Sequence, residues 1–390
     1  MSHVMYIVTD PMTVNIYLKP QFKALVNHKW QVSVICGGNK ALLSDRQEEL
    51  NGVTVYHIPM RREIDPIGDT IALVRLLILL LRLRPVVVNA GTPKAGLIGM
   101  IASRLARIPV RIYQLHGLRL ETATGWKRRL FLVTERTACR CAQRVLCVSD
   151  SLKNKVLQLG ICEPHKLAVL GSGSCTGVAF ADYLPTPDRL AAAAALRDSL
   201  QIPSEAPVVG FIGRLTKDKG IVELLEAFSL ICERLHGAYL LLVGPFEDGD
   251  PIPQGARQKI VESPNIRHVD WVDDPRPYLH LMNVFALPTY REGLPGVLLE
   301  ATATGTPIVA TRATGVVDVV VNEWTGLLSP IGDARSLAHN ALRVLLDPGL
   351  GRKLSRRALH KIEAEFSRDQ VLQDLELFYR KSCVQSGLSG

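Results

Sequence analysis

The sequence predicts an α/β protein built on two doubly wound parallel sheets, and three observations carry that prediction. Short apolar runs alternate with helical patterns from end to end, a rhythm that produces parallel sheets with helices on both faces. The chain has 390 residues, which at about 100–200 residues per domain suits two domains. A stretch with four prolines and an alanine-rich helix, Tyr183–Pro207, divides the rhythm in two.

In the first half, strands are expected at Met5–Thr9, Gln31–Cys36, Val53–Ile58, Val86–Ala90, Arg111–Leu115, Arg144–Val148 and Leu167–Leu170. Helical patterns at Lys19–Asn27, Asp69–Leu83 and Gly96–Ala106 lie between them. The second half repeats the alternation, with strands at Val208–Ile212, Ala238–Val243, Ile266–Val269, Val284–Leu287, Ile308–Ala310 and Gly326–Leu328 and helices at Ile221–Leu235 and Gly296–Thr304. The expected division is a first domain over 1–182, a linker and helix over 183–206, a second domain over 207–366, and a C-terminal helix and tail over 367–390, the helix packing back on the first domain. Open parallel sheets bind ligands at the carboxyl ends of their strands. Two such edges facing one cleft suit a two-substrate reaction.

Two segments of the second half carry chemistry. In FIGRLTKDKG a strand ends at Gly213 and a polar loop follows with Arg214, Lys217 and Lys219. The glycine permits close backbone approach, and the cations stand where a strand edge opens. Arginine offers a fork to phosphate oxygens, lysine a compact charge; a solvated basic turn is the alternative. In YREGLPGVLLEATATG, Tyr290–Gly305, Pro295 suits the first turn of a helix. Gly296 leaves the first amides open to an anion, so Gly293, Leu294, Pro295, Gly296 and Val297 can present main chain to phosphate or sugar oxygens. Beside a phosphate, Glu292 needs hydroxyl donors, which vicinal sugar hydroxyls supply. Glu300, a little over one turn into the helix, is placed to accept from a ribose. Cations for a diphosphate and carboxylates for hydroxyls fit a nucleotide diphosphate-sugar.

These motifs resemble those of glycosyltransferase family 4, retaining enzymes of the GT-B fold in which two Rossmann-like domains face a central cleft. The resemblance extends over nearly the whole chain. It implies that Arg214 and Lys219 hold the donor diphosphate, Glu292 contacts the donor sugar and Glu300 the ribose, and that His116 in QLHGLR stands beside the donor sugar; on its own, His116 reads as a structural loop histidine. His116, Arg214, Lys219 and Glu292 are thus the implied catalytic set, in a hexosyltransferase that takes a UDP-sugar and needs neither cofactor nor metal. TPKAG (Thr92–Gly96) and GSGSCTGV (Gly171–Val178) look like the branch that builds capsule, exopolysaccharide and lipopolysaccharide O-antigen. In one respect the chain departs from the family. Many members carry a glycine-rich turn after the first strand, whereas here it reads Thr9-Asp10-Pro11-Met12-Thr13. Thr13 is therefore assigned to the acceptor side. Rival readings are a nucleotide-sugar epimerase of the same fold, a non-catalytic partner subunit, and an NAD-dependent oxidoreductase. The last would need GxGxxG opening a helix, which GSGSCTG does not do.

Composition narrows the partners. Hydrophobic residues make up 47% of the chain, enough for two cores and against disorder. The N-terminus lacks a basic segment ahead of an apolar one, so no secretory signal is expected. The eight cysteines, Cys36, Cys139, Cys141, Cys147, Cys162, Cys175, Cys232 and Cys383, include no CxxC pair and read as reduced thiols of a cytoplasmic protein. Charge is unevenly spread. Residues 1–182 hold 24 Lys and Arg against 12 Asp and Glu, and the remainder hold 22 against 25. A basic first half suits an anionic partner. Nucleic acid is not expected, because aromatics are only 6% and no reader motif appears.

The expected acceptor is a saccharide linked to a polyprenyl diphosphate, met at the inner face of the cytoplasmic membrane. Lys94, Lys127, Arg128 and Arg129 are assigned to the acceptor or membrane side. The last three open the basic stretch Trp126–Arg144, whose Leu130, Phe131 and Val133 either meet lipid or pack inward. Such a surface is drawn to anionic lipid. The apolar run Ile71–Pro85 contains Arg75, Arg82 and Arg84 and is too short to span a bilayer. It is expected to be a buried helix leading into a strand, with an interfacial helix as the alternative.

Overall fold

The computed structural model describes residues 2–38, 50–61 and 63–388. The described residues divide into two compact units, one of Met1–Gly177 with Arg368–Gly390, the other of Val178–Ser367. The division falls at Gly177 rather than at Asp182. The two chain crossings pair with each other there, Val178 N donating to Phe366 O at 2.9 Å, and this draws Val178 onward into the second unit. The expected linker is part of that unit too. Its helix packs on Arg276–Leu281.

The first unit holds strands β1 (His3–Val8), β2 (Gln31–Cys36), β3 (Val53–His57), β4 (Val87–Gly91), β5 (Val110–Leu115), β6 (Arg144–Cys147) and β7 (Leu167–Ala168), all parallel, in the order β3-β2-β1-β4-β5-β6-β7. Its helices include α1 (Lys19–Asn27), α2 (Pro66–Leu83), α3 (Pro93–Leu105), α4 (Gly125–Cys141) and α5 (Asp150–Gln158). Every residue of β1 and β4 is buried, since helices cover both faces of a parallel sheet and its strands become unbroken apolar runs. The helices begin at recognisable caps. Asp65 accepts from Gly68 N at 3.0 Å ahead of α2, and Ser149 accepts from Leu152 N at 3.3 Å ahead of α5, each cap contributing about 1 kcal/mol.

The second unit holds β8 (Val208–Ile212), β9 (Tyr239–Val243), β10 (Ile266–Val269), β11 (Val284–Leu287), β12 (Ile308–Thr311) and β13 (Leu327–Ser329), ordered β10-β9-β8-β11-β12-β13 and parallel. Its helices are α6 (Pro187–Ser199), α7 (Ile221–Arg234), α8 (Gln254–Glu262), α9 (Arg276–Leu281), α10 (Gly296–Ala303), α11 (Val316–Val319), α12 (Ala334–Leu346) and α13 (Pro348–Glu365). On α7, Ile221, Leu224, Leu225, Phe228 and Ile231 recur at helical spacing and are all buried.

A last helix, α14 (Arg368–Gln385), rejoins the first unit. It is tied down by a buried polar chain in which Asn89 Nδ2 donates to Tyr379 Oη at 2.6 Å, Tyr379 Oη to Tyr6 Oη at 2.8 Å, and Tyr6 Oη to Gln21 Oε1 at 2.9 Å. Each donor in this chain replaces its lost water with a protein acceptor. Ser389 and Gly390, the end of the expected tail, lie outside the described residues.

One sequence reading needs correction. The run around α2 is not a buried helix. Only Ala72, Leu76 and Leu80 are buried along it, because the helix lies on the surface of the unit and turns one face outward.

Candidate functional site

Strand order locates the site of the second unit. From β8 the chain winds out through β9 to β10, returns past β8 to β11, and winds the other way to β13. The loops after β8 and β11 therefore leave on opposite faces, and the crevice between them is where such a sheet binds ligand. Those two loops, 213–220 and 288–295, are the ones that carry Arg214, Lys219, Glu292 and Gly293.

The loops are stitched together. Tyr290 N and Thr289 Oγ1 both donate to Asp218 O, at 2.9 and 3.1 Å. The Arg291 guanidinium pairs with Asp218, and Lys219 Nζ pairs with Glu292 Oε1. Tyr290 Oη donates to Glu223 Oε1 at 2.7 Å, and that carboxylate pushes the phenol up to about 12. The loop after β12 closes the set, with Glu292 N donating to Thr314 O at 3.1 Å. Two glycines allow this closeness. Gly220, at φ 71°, would place a Cβ 2.1 Å from Pro288 O, and Gly315, at φ 78°, would place one 2.3 Å from Gly293 O.

Lys219 and Glu292 expose 21% and 13% of their side chains, which is sheltered yet within reach of a ligand. Arg214, more open at 42%, pairs with Glu247 on the loop after β9. Pro295 is the N-cap of α10, not its first residue, and Gly296 opens the helix. The amides of Gly296 and Val297 precede the helix's own hydrogen bonding. A Cβ at Gly296 would meet nothing within 4 Å, so the helix start has open space on that side. Leu294 and Val297 are half-buried against the core of this unit. Glu300 lies half-buried on α10, between the buried Leu299 and Ala301.

The first unit has its own switch point, between β1 and β4. Thr9 and Thr92, on the loops that leave it, share a hydroxyl hydrogen bond of 2.7 Å. The glycine-free turn continues through Pro11–Thr13 into a π-helical turn, Val14–Leu18. Asp10 caps its start, accepting from Met12 N at 2.9 Å, and Thr13, half-buried, donates its amide to Asp10 O at 3.1 Å. The glycines absent from this loop stand on its neighbour. At Gly37 a Cβ would lie 2.7 Å from Thr9 O, so the loop after β2 gives way instead.

His116 follows β5, and Gly91 leaves it room, since a Cβ there would come within 2.9 Å of Nε2. Tyr17, from the π turn, lies beside it with ring centroids 6.4 Å apart. Burial lowers the His116 pKa from 6.5 to about 4, so the ring is neutral at pH 7. The unfolded chain takes up a proton near pH 6.5 and the folded one only near 4. Stability should therefore fall as pH drops through that window, by up to about 3 kcal/mol from this group. Denaturant melts at pH 7 and 4.5 test this, and a His116→Gln variant with the same loss would contradict it.

Of the other first-unit residues assigned from sequence, Lys94 is 14% exposed and pairs with Asp69 Oδ1 at 2.7 Å, fastening α3 to α2. Lys127, Arg128 and Arg129 are exposed at the start of α4. Behind them Val133 is exposed and Leu130 and Phe131 are half-buried, with Arg119 over the Phe131 ring at 5.1 Å. Sequence reasoning passed over Asp218, Arg291 and Glu247. The available signals were their neighbours: Asp218 beside Lys219, Arg291 beside Glu292, and a strand-end glycine, Gly244, just ahead of Glu247.

Residues 206–347 match the family described as glycosyl transferases group 1, and residues 13–173 match the glycosyl transferase 4-like domain. Over 369 residues the chain is 31% identical to the capsular polysaccharide biosynthesis glycosyltransferase CapM of Staphylococcus aureus, covering 95% of this chain and 94% of that one. The chain is a group 1 glycosyltransferase. This glycosyltransferase is also 25% identical, over 89% of its length and 88% of the relative's, to the Escherichia coli UDP-Gal:alpha-D-GlcNAc-diphosphoundecaprenol alpha-1,3-galactosyltransferase. Anabaena HepE, solved in complex with UDP and glucose, superposes with a TM-score of 0.80 at 17% identity, over 98% of this chain and all of that one. The glycosyltransferase thus has the GT-B fold expected from its sequence.

Proposed function

We propose that the protein moves a sugar from a nucleotide diphosphate-sugar, a UDP-sugar, onto a lipid-linked saccharide during assembly of a bacterial surface polysaccharide, with retention at the anomeric carbon. The observation that carries this reading is the contact of Lys219 Nζ with Glu292 Oε1 at the switch point. A cation and a carboxylate side by side complement the junction of a nucleotide sugar, where a diphosphate gives way to hydroxyls. Arg214 and the first amides of α10 extend the anion side, and Glu300 is assigned to the ribose. The relatives support the substrate classes: one is named for capsule synthesis, and another for a UDP-sugar and a diphosphoundecaprenol-linked acceptor.

In this reading the bond from the anomeric carbon to the diphosphate oxygen breaks as the acceptor hydroxyl bonds to the same face. The hydroxyl proton passes to the departing diphosphate. Arg214, Lys219 and the α10 amides neutralise the charge that develops there, without a metal ion, a class of stabilisation that is often the largest in catalysis. Neutral His116 stands on the first unit as a group for the donor sugar, and Thr13 and Lys127–Arg129 face the acceptor side, at the inner surface of the cytoplasmic membrane.

A panel of nucleotide sugars offered with a lipid-linked acceptor extract tests the reading. Transfer is expected, with the product keeping the anomeric configuration of the donor. Inversion within the free sugar nucleotide would indicate an epimerase, and binding without turnover a partner subunit. Glu300→Ala should weaken UDP binding about tenfold, the worth of one hydrogen bond to a charged group. Unchanged UDP affinity by calorimetry would remove Glu300 from the nucleotide site.

A further inference from the structure

The outward face of α2 is apolar. Ile67, Ile71, Val74, Ile78 and Leu81 are 76, 48, 51, 61 and 48% exposed. At about 100° per residue, their alternating steps of four and three place all five within an arc of about 80°. The stripe runs for roughly 21 Å at 1.5 Å per residue. Single exposed aliphatic side chains are ordinary, whereas a continuous row of five marks a surface that meets something.

The charges on this helix identify the partner. Arg75 and Arg82, both exposed, stand two turns apart along one border of the stripe, and Arg84 closes the helix. The single acidic residue of α2, Asp69, is taken up by Lys94. The outward charge is therefore positive. Helix α2 packs on α3, and α3 on α4. At the start of α4, Trp126 is exposed beside Lys127, Arg128 and Arg129. Among the described residues no helix is long and apolar enough to cross a membrane. A surface helix with an apolar stripe bordered by arginines lies in the plane of a bilayer, its stripe among the acyl chains and its cations at the phosphates.

We infer that α2 is an in-plane docking helix that seats the first unit on an anionic phospholipid bilayer through Ile67, Ile71, Val74, Ile78 and Leu81, with Arg75 and Arg82 at the lipid phosphates. The inference deepens the lipid-linked acceptor reading and rests on it for its purpose. It goes beyond a purely electrostatic attraction, because an inserted stripe resists salt and a basic patch does not.

Flotation of the full chain with vesicles of phosphatidylglycerol and phosphatidylethanolamine, and with phosphatidylcholine alone, tests it at low and high salt. The parent should float with the anionic vesicles and retain part of that binding at high salt. The double variant Ile71→Ser/Ile78→Ser should lose on the order of tenfold in partition coefficient, together with the salt-resistant fraction. It should keep the parent's melting temperature and its donor turnover in detergent. Arg75→Gln/Arg82→Gln should lose the preference for anionic over zwitterionic vesicles. The inference is overturned if the parent does not float, if the isoleucine variant floats like the parent, or if the parent is a dimer that this variant splits, which would make the face a contact between copies. Flotation as expected without turnover of any nucleotide sugar would leave the docking helix standing and remove the transferase reading. Turnover without flotation would do the reverse.

Discussion

Glu292→Gln should lower turnover by about 10²–10³-fold while UDP binds as tightly as to the parent or more tightly. Glu292 is held from two sides, by Lys219 at its carboxylate and by Thr314 O at its amide. The glutamine keeps that backbone anchor and its size but loses the charge, so it no longer offers two anionic acceptors to sugar hydroxyls. Lys219 is at the same time released from its partner and is free for the diphosphate. The separation of the two effects is the diagnostic: single-turnover rates should fall while calorimetric UDP affinity holds. A variant with parental turnover would show that Glu292 touches no reacting sugar.

Lys219→Ala should lower kcat/KM for the nucleotide sugar by about 10²–10³-fold, through the loss of a cation from the departing diphosphate. Here UDP binding weakens as well, because the charge attracts both the bound nucleotide and the leaving group. The two residues are in contact, so their effects should not add. The double variant Lys219→Ala/Glu292→Gln should be less impaired than the product of the single losses. Strict additivity, measured as kcat/KM across the four proteins, would mean that the pair does not act as one unit on the substrate.

Much of the fold was legible because its signals are local. Runs such as VMYIV in β1 and VFAL in β11 are apolar throughout and short, as strands covered on both faces are. One helix start announced itself through Pro295, whereas the caps Asp65 and Ser149 came to light only with the structure. Lys219, Glu292 and Gly296 could be picked out because each stands where a strand has just ended or a helix is about to start.

What the sequence by itself determined is the alternation of strands and helices, hence the parallel sheets, and the loops that hold cations and carboxylates. Tertiary structure alone decided who meets whom. The Lys219–Glu292, Arg291–Asp218 and Arg214–Glu247 pairs each join loops separated by whole strands and helices, and they exist because strand order sets β8 between β9 and β11. It likewise decided that Lys94 is spent on Asp69 and that the stripe on α2 faces outward. Periodicity shows that a helix has a face, but which way the face turns depends on the surface against which the helix packs, and that surface is assembled from residues distant in the chain.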